Sequence, residues 1–298
     1  MFSVTPWRNF SVPSAAPWRL FSLAVCAAAL FVATAGARQA NATQWRQVWA
    51  DEFNKDGTPD PANWTSEHGL VRNDEAQWYQ PQNASCRGGL LVIEARRERV
   101  RNSGFVTGST EWPANQEYAE YTSSSLTTKG RHQWRYGRFE LRARIDTRSG
   151  MWPAWWTLGV DGEWPAGGEI DMLEYYRGML LANVAWGSPQ RWVATWDSVR
   201  TPVASLGSGW PDGFHVWRMD WDAHAIRLYM DDRLLNETAV SDTIDASRHR
   251  DPFNATQYML LNLAIGGTNG GDPSASTFPA RFEVDYVRVY QRGQTLFR

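Results

Sequence analysis

Glu169, Asp171 and Glu174 place three carboxylates within the six residues 169-EIDMLE-174. Breaking a glycosidic bond takes two such groups: one carboxylate attacks or activates water, and one carboxylic acid protonates the leaving oxygen. A third acid between them could hydrogen-bond the attacking group and couple the titrations. Crowded carboxylates cannot all ionise easily, so one pKa rises, as a general acid requires. No regular element gathers all three. On a strand Glu169 and Asp171 share a face while Glu174 points away. On a helix Asp171 and Glu174 are neighbours, but Glu169 lies on another side. One extra residue near Met172 or Leu173, a β-bulge, would return Glu174 to the first face. Ile170, Met172, Leu173, Tyr175 and Tyr176 make the segment apolar on its other positions, so it reads as half-buried rather than as an exposed acidic edge.

The elements that must carry this strand are themselves strands. Segments 89-GLLVIEARRE-98, 137-GRFELRARI-145, 214-FHVWRMDW-221, 225-AIRLYMDD-232 and 282-FEVDYVRVY-290 recur between turn signals, as in an all-β sandwich. In the second, Phe139, Leu141, Ala143 and Ile145 alternate with Glu140, Arg142 and Arg144, a period of two with one polar face. Residues 221–224 read as a hairpin loop and Asp231-Asp232 as the next turn. Residues 99–125 read as an extended surface loop, of the kind that shapes binding sites. Repeats and heptads are absent. The fold expected is one domain of two antiparallel sheets.

Arg8 and Arg19 precede the apolar run 20-LFSLAVCAAALFVATAGA-37, which ends in small residues. Residues 1–37 therefore read as a signal peptide and 38–298 as a single catalytic domain. The location expected is secreted or periplasmic, with no membrane association after cleavage. A net charge of −2 offers no basic stripe for nucleic acid. Cys86 is the one cysteine outside the leader, so no intramolecular disulfide can form there. Asn41, Asn63, Asn83, Asn236 and Asn254 head glycosylation sequons. The chain holds 18 tryptophans, more than a core alone explains. Rings presented at a surface would stack on the C–H faces of sugars. The five histidines show no metal-ligand spacing, and no G-x-S-x-G elbow occurs.

The blocks VWADEFN (48–54), EAQWY (75–79), YTSSSLTTKGR (121–131), MWPAWWTLG (151–159), LLNLAIGGTNGG (260–271) and VDYVRVYQ (284–291), with the acidic strand, occur in an order that resembles glycoside hydrolase family 16. The E-x-D-x-x-E spacing resembles its bulged branch of laminarinases, agarases and porphyranases. The resemblance covers nearly all of the chain after the leader. It implies a β-jelly-roll with a carbohydrate cleft across its concave sheet and an endo-acting, retaining mechanism. By position it implies Glu169 as nucleophile, Asp171 as assisting acid and Glu174 as general acid/base. Trp152 and Trp156 match aromatics lining the cleft, and Asn73 and Arg138 match polar residues that bind sugar. Asp285 matches a structural calcium position in several members, with Glu52 and a carbonyl near Gly88 as companions. No cofactor for catalysis is implied, and the chain is expected to act as a monomer on a polysaccharide.

One feature departs from the family. Its β-1,3-glucanases carry a histidine on the strand after the general acid, whereas 180-LLANVAWGS-188 has none and Trp186 stands near that position. If Trp186 faces the cleft, stacking replaces a hydrogen bond. The expected substrate is a laminarin-like β-1,3-glucan. An endo-β-galactanase of agar, porphyran or keratan-type glycans is the alternative, and a non-catalytic lectin is the reading from another class. Transglycosylation stays open.

Overall fold

Alternation is what builds this chain. In the strand Gly137–Arg144, Phe139, Leu141 and Ala143 are buried while Arg138, Glu140, Arg142 and Arg144 reach the opposite face, as period-two patterning requires. The computed structural model describes residues 44–244 and 251–293. The signal peptide expected at 1–37 and the sequon at Asn41 lie outside the described residues.

Two antiparallel sheets carry most of the strands. One has the order Ala194–Pro202, Met179–Gly187, Glu169–Tyr176, Met151–Gly159, Gln257–Ile265, Ser125–Thr127 and Thr65–Ser66. The other has the order Arg233–Ala239, Ala225–Met230, His215–Trp221, Gly137–Arg144, Ala280–Arg292, Leu90–Ala95 and Ala84–Arg87, with Trp45–Asp51 also paired to Ala280–Arg292. Inward side chains of both meet in one apolar core. Trp155, Ile170, Met172, Leu180 and Val184 come from the first sheet, and Phe139, Leu141, Trp217, Met219, Phe282 and Val287 from the second. The two sheets thus pack face to face as a β-sandwich. Among the described residues, no helix is long and apolar enough to cross a membrane.

The expected turns form where the sequence places them. Asp231 and Asp232 both take positive φ, 47° and 62°, between Ala225–Met230 and Arg233–Ala239, and Asp is among the residues that tolerate this region. The loop expected over 99–125 is only partly a loop. Val100–Arg101 pairs with Tyr118–Ala119, and Tyr121–Ser123 runs parallel to Gln77–Tyr79. Its end is interior: Thr122, Ser123, Ser124 and Ser125 are fully buried. Short hydroxyl side chains hid this burial from a reading based on apolar periodicity. Three sequons are structural. Asn83 and Asn236 are buried; the Asn83 amide donates to the Glu94 carbonyl and the Thr122 hydroxyl, and the Asn236 amide to the Ala182 and Asp197 carbonyls. The Asn63 amide donates to Asp51 at 3.0 Å.

Candidate active site

The bulge lies where the three acids require it. Strand Glu169–Tyr176 pairs with Met151–Gly159 through Leu158↔Glu169, Trp156↔Asp171 and then Ala154↔Glu174. On its other side the partners are Glu169↔Ala185, Asp171↔Asn183 and Glu174↔Leu181, with the register shifting between Asp171 and Glu174. Met172 and Leu173 both turn into the core. Losing one residue from the ladder there restores Glu174 to the face of Glu169 and Asp171. Together with Arg72, Asn73, Glu75, Trp152, Ala154, Trp156 and Asn262 they line one pocket on the outer face of the sheet.

Each carboxyl has its own partners. Trp152 Nε1 donates to Glu174 Oε1 at 2.8 Å. Asn183 Nδ2 donates to Glu174 Oε2 at 2.8 Å and to Asp171 Oδ2 at 3.1 Å, and Ser198 Oγ anchors the Asn183 carbonyl at 2.5 Å. Trp164 Nε1 donates to Glu169 Oε2 at 2.5 Å. Two glycines let the Trp164 loop lie against the strand. Gly168 has φ +81°, and a Cβ there would meet the Phe253 ring at 2.9 Å. A Cβ on Gly159 would strike the Gly167 carbonyl oxygen at 2.1 Å.

These environments separate the three titrations. Burial raises Glu169, while the hydrogen bonds from Trp164 and Asp171 and the charge of Arg72 oppose the rise. Asp171, only 4 % exposed, is held well above the usual carboxylate range by burial and by the charges of Glu169 and Glu174. As a neutral acid it is a hydrogen-bond donor to Glu169. Burial and the Glu169 charge push Glu174 up to about 7, against the hydrogen bonds from Trp152 and Asn183 and the Arg200 charge. The arrangement thus gives Glu169 two hydrogen-bond donors and Glu174 a carboxyl that carries its proton up to about 7, as general acid chemistry near neutral pH needs.

Of the expected sugar-binding residues, Asn73, Trp152 and Trp156 lie at the pocket. Trp156 Nε1 donates to Asn262 Oδ1 at 2.7 Å, and Arg72 lies 5.3 Å from the centre of its ring. Arg138 does not. It projects from the outer face of the other sheet, in a bidentate ion pair with Asp220 at 2.7 and 2.8 Å. Its alternation with Phe139 holds, but the sheet is the wrong one, and the arginine at the pocket is Arg72. Trp186 is also corrected. Its neighbours Asn183 and Ala185 face the acids, so Trp186 turns to the other face and packs against the core.

Asp285 and Glu52 do not fit a calcium site. The Arg142 guanidinium bonds Asp285 at 2.5 Å, and Arg288 holds both oxygens of Glu52 at 2.8 Å. An arginine thus supplies the charge that a cation would. Among the described residues, no group of three or more His, Cys, Asp or Glu could hold a metal.

Sequence reasoning missed Arg72, Trp164, Asn183 and Asn262. A lone asparagine inside the apolar run 180-LLANVA-185 was the available signal for Asn183, because a buried amide in a strand needs a polar partner.

Comparison with known proteins agrees with this geometry. The model of the glycosyl hydrolases family 16 matches residues 100–288. A β-glucanase of Rhodothermus marinus is 36% identical over 278 residues, covering 85% of this chain and 88% of its own. The solved laminarinase of the same organism superposes with a TM-score of 0.70 at 34% identity, covering 84% of this chain and 99% of that one. A structure from work on endo-acting O-glycanases, with which members of the human gut microbiota initiate mucin breakdown, gives a TM-score of 0.75. Its identity is 33%, over 83% of this chain and 91% of that one.

Proposed function

Because the chain belongs to the glycosyl hydrolases family 16, we propose that its three acids cleave β-1,3-glucosidic bonds inside a laminarin-like polysaccharide. The enzyme is a retaining glycoside hydrolase, the mechanism general to this family. Glu169 attacks the anomeric carbon, and the Trp164 and Asp171 donors orient it and oppose the rise in its pKa. Glu174 gives its proton to the leaving oxygen, and the glycosyl–enzyme ester forms. Glu174, now a base, takes a proton from water, which attacks the ester from the face the leaving group vacated. Asp171 reacts with nothing. It hydrogen-bonds Glu169, and its own proton is kept by burial between two other acids.

The observation that carries the reading is the bulge, which sets Glu169 and Glu174 on one face around Asp171. A lectin would have no use for that trio or for a Glu174 poised near neutrality. The glucan is favoured by the β-glucanase and laminarinase relatives. A second reading, an endo-β-galactanase, is favoured by one observation: the position facing Glu169 is Ala185, so this strand offers the substrate no histidine.

Digestion of laminarin, mixed-linkage glucan, agarose, porphyran and keratan-type glycans tests both. Rapid release of medium-length oligosaccharides from laminarin, lost in Glu169→Gln and Glu174→Gln, is the expected result. Cleavage confined to the galactans would replace the first reading by the second.

A further inference from the structure

Among the described residues three tryptophans are exposed, Trp164 at 44 %, Trp192 at 55 % and Trp196 at 47 %. All three flank the Glu169 end of the catalytic strand. Trp164 sits in the loop before Glu169 and bonds it. Trp192 sits in the connection from Met179–Gly187 to Ala194–Pro202. The two loops are tied together. Arg191, stacked 4.7 Å from the Trp192 ring, pairs with Glu163 at 2.9 Å. A Cβ on Gly187 would meet Ala166 at 3.1 Å.

Trp196 belongs to the edge strand Ala194–Pro202. It pairs with Ala185, which pairs with Glu169. Partners directly across a sheet share a face, so Trp196, Ala185 and Glu169 form one row on the cleft side. Two strand spacings separate the ends of that row, about 10 Å, a span that a disaccharide covers. Ala185 between them is small and fully buried, so Trp196 is the exposed ring at the far end of the row. An exposed indole in the interior of an edge strand otherwise costs solubility and gains nothing in packing.

We propose that Trp196 is a specificity-determining residue, the stacking platform for a sugar bound beyond the cleavage point on the Glu169 side of the cleft. Trp164, bonded to Glu169, stands at the near end. This rests on the proposed cleavage of a polysaccharide, and the occupant is a further stretch of the same chain. Aromatic faces suit it because one side of a pyranose ring presents C–H bonds, while the hydroxyls stay free for solvent.

Two oligosaccharide ladders test this, laminari-oligosaccharides and keratan-type galactan oligosaccharides, each from the shortest cleaved length upward. The ladder that the wild type cleaves names the glycan, and Trp196→Ala and Trp196→Phe are compared on it. Trp196→Ala should lower kcat/KM about tenfold, the order of one lost ring stack, and only for oligosaccharides long enough to reach the edge strand. The shortest substrates and the melting temperature should be unchanged, and Trp196→Phe should retain most of the rate. Loss that is equal at every length, or no loss at any length, overturns the proposal. A wild type that cleaves galactans alone rejects the glucan reading and leaves this test intact; cleavage of neither ladder overturns both.

Discussion

Replacing Glu174 by glutamine should remove a pH-dependent loss of stability while destroying the activity. Glu174 titrates at about 7 in the folded chain against an ordinary 4.5. A carboxyl whose pKa is raised by folding binds more protons in the native state than in the unfolded one. Stability therefore falls as pH rises between those two values. Below 4.5 the penalty is absent; above 7 it is complete. At about 1.4 kcal/mol per pH unit, the full cost is ~3 kcal/mol, an upper value because Glu169 and Asp171 share the same protons.

Glutamine carries no charge and removes that slope. It also loses something. Glu174 now accepts from Trp152 on one oxygen and from Asn183 on the other. A glutamine has one acceptor oxygen, so one donor is left unpaired, at about 1–3 kcal/mol independent of pH. The sign of the difference at a single pH is therefore a poor guide, and its pH dependence decides. Urea denaturation of both proteins at pH 5, 6, 7 and 8 should show the variant gaining on the wild type by up to about 3 kcal/mol across the series. A difference that stays constant with pH would refute the assignment of a buried, proton-holding Glu174.

The wild-type rate should follow a bell in pH, its alkaline limb falling near 7 as Glu174 loses its proton. Trp164→Phe removes the donor that holds Glu169 down, so the acidic limb of kcat/KM should move to higher pH while the alkaline limb stays. Arg138→Ala should leave kcat/KM unchanged and cost at most about 1 kcal/mol in denaturation, the worth of a partly exposed ion pair; Arg72→Ala should lower kcat/KM on laminarin. Proton NMR of the earliest products should show the β-anomer, since two displacements at the anomeric carbon restore its configuration.

Much of the fold was legible because strands of the second sheet alternate, and Phe139, Leu141 and Ala143 mark the core side without further help. What alternation does not encode is which sheet a strand joins. Arg138 points away from the core as its pattern requires, yet the core has two sides, and only pairing with Ala280–Arg292 and His215–Trp221 places it far from the acids. Arg72 was hidden for a different reason. It lies in the irregular stretch 71-VRND-74, where Asn73 and Asp74 take positive φ of 58° and 51°, and no periodicity aims its side chain.

Trp186 differs from both, because its direction follows from the same reasoning that gathers the acids. The connection Arg177-Gly178 has two residues, so Tyr176 faces Met179 and Glu174 faces Leu181. The next strand carries no bulge opposite Ala194–Pro202, where its ladder runs unbroken from Met179 to Gly187. Regular alternation from Leu181 then brings Asn183 and Ala185 to the cleft and turns Val184 and Trp186 inward. The bulge that moves Glu174 onto the face of Glu169 also sets Ala185 against Glu169. A tryptophan there would have filled the space beside the nucleophile. Ala185 there is small and fully buried, and the next indole on the face is Trp196, one strand farther out.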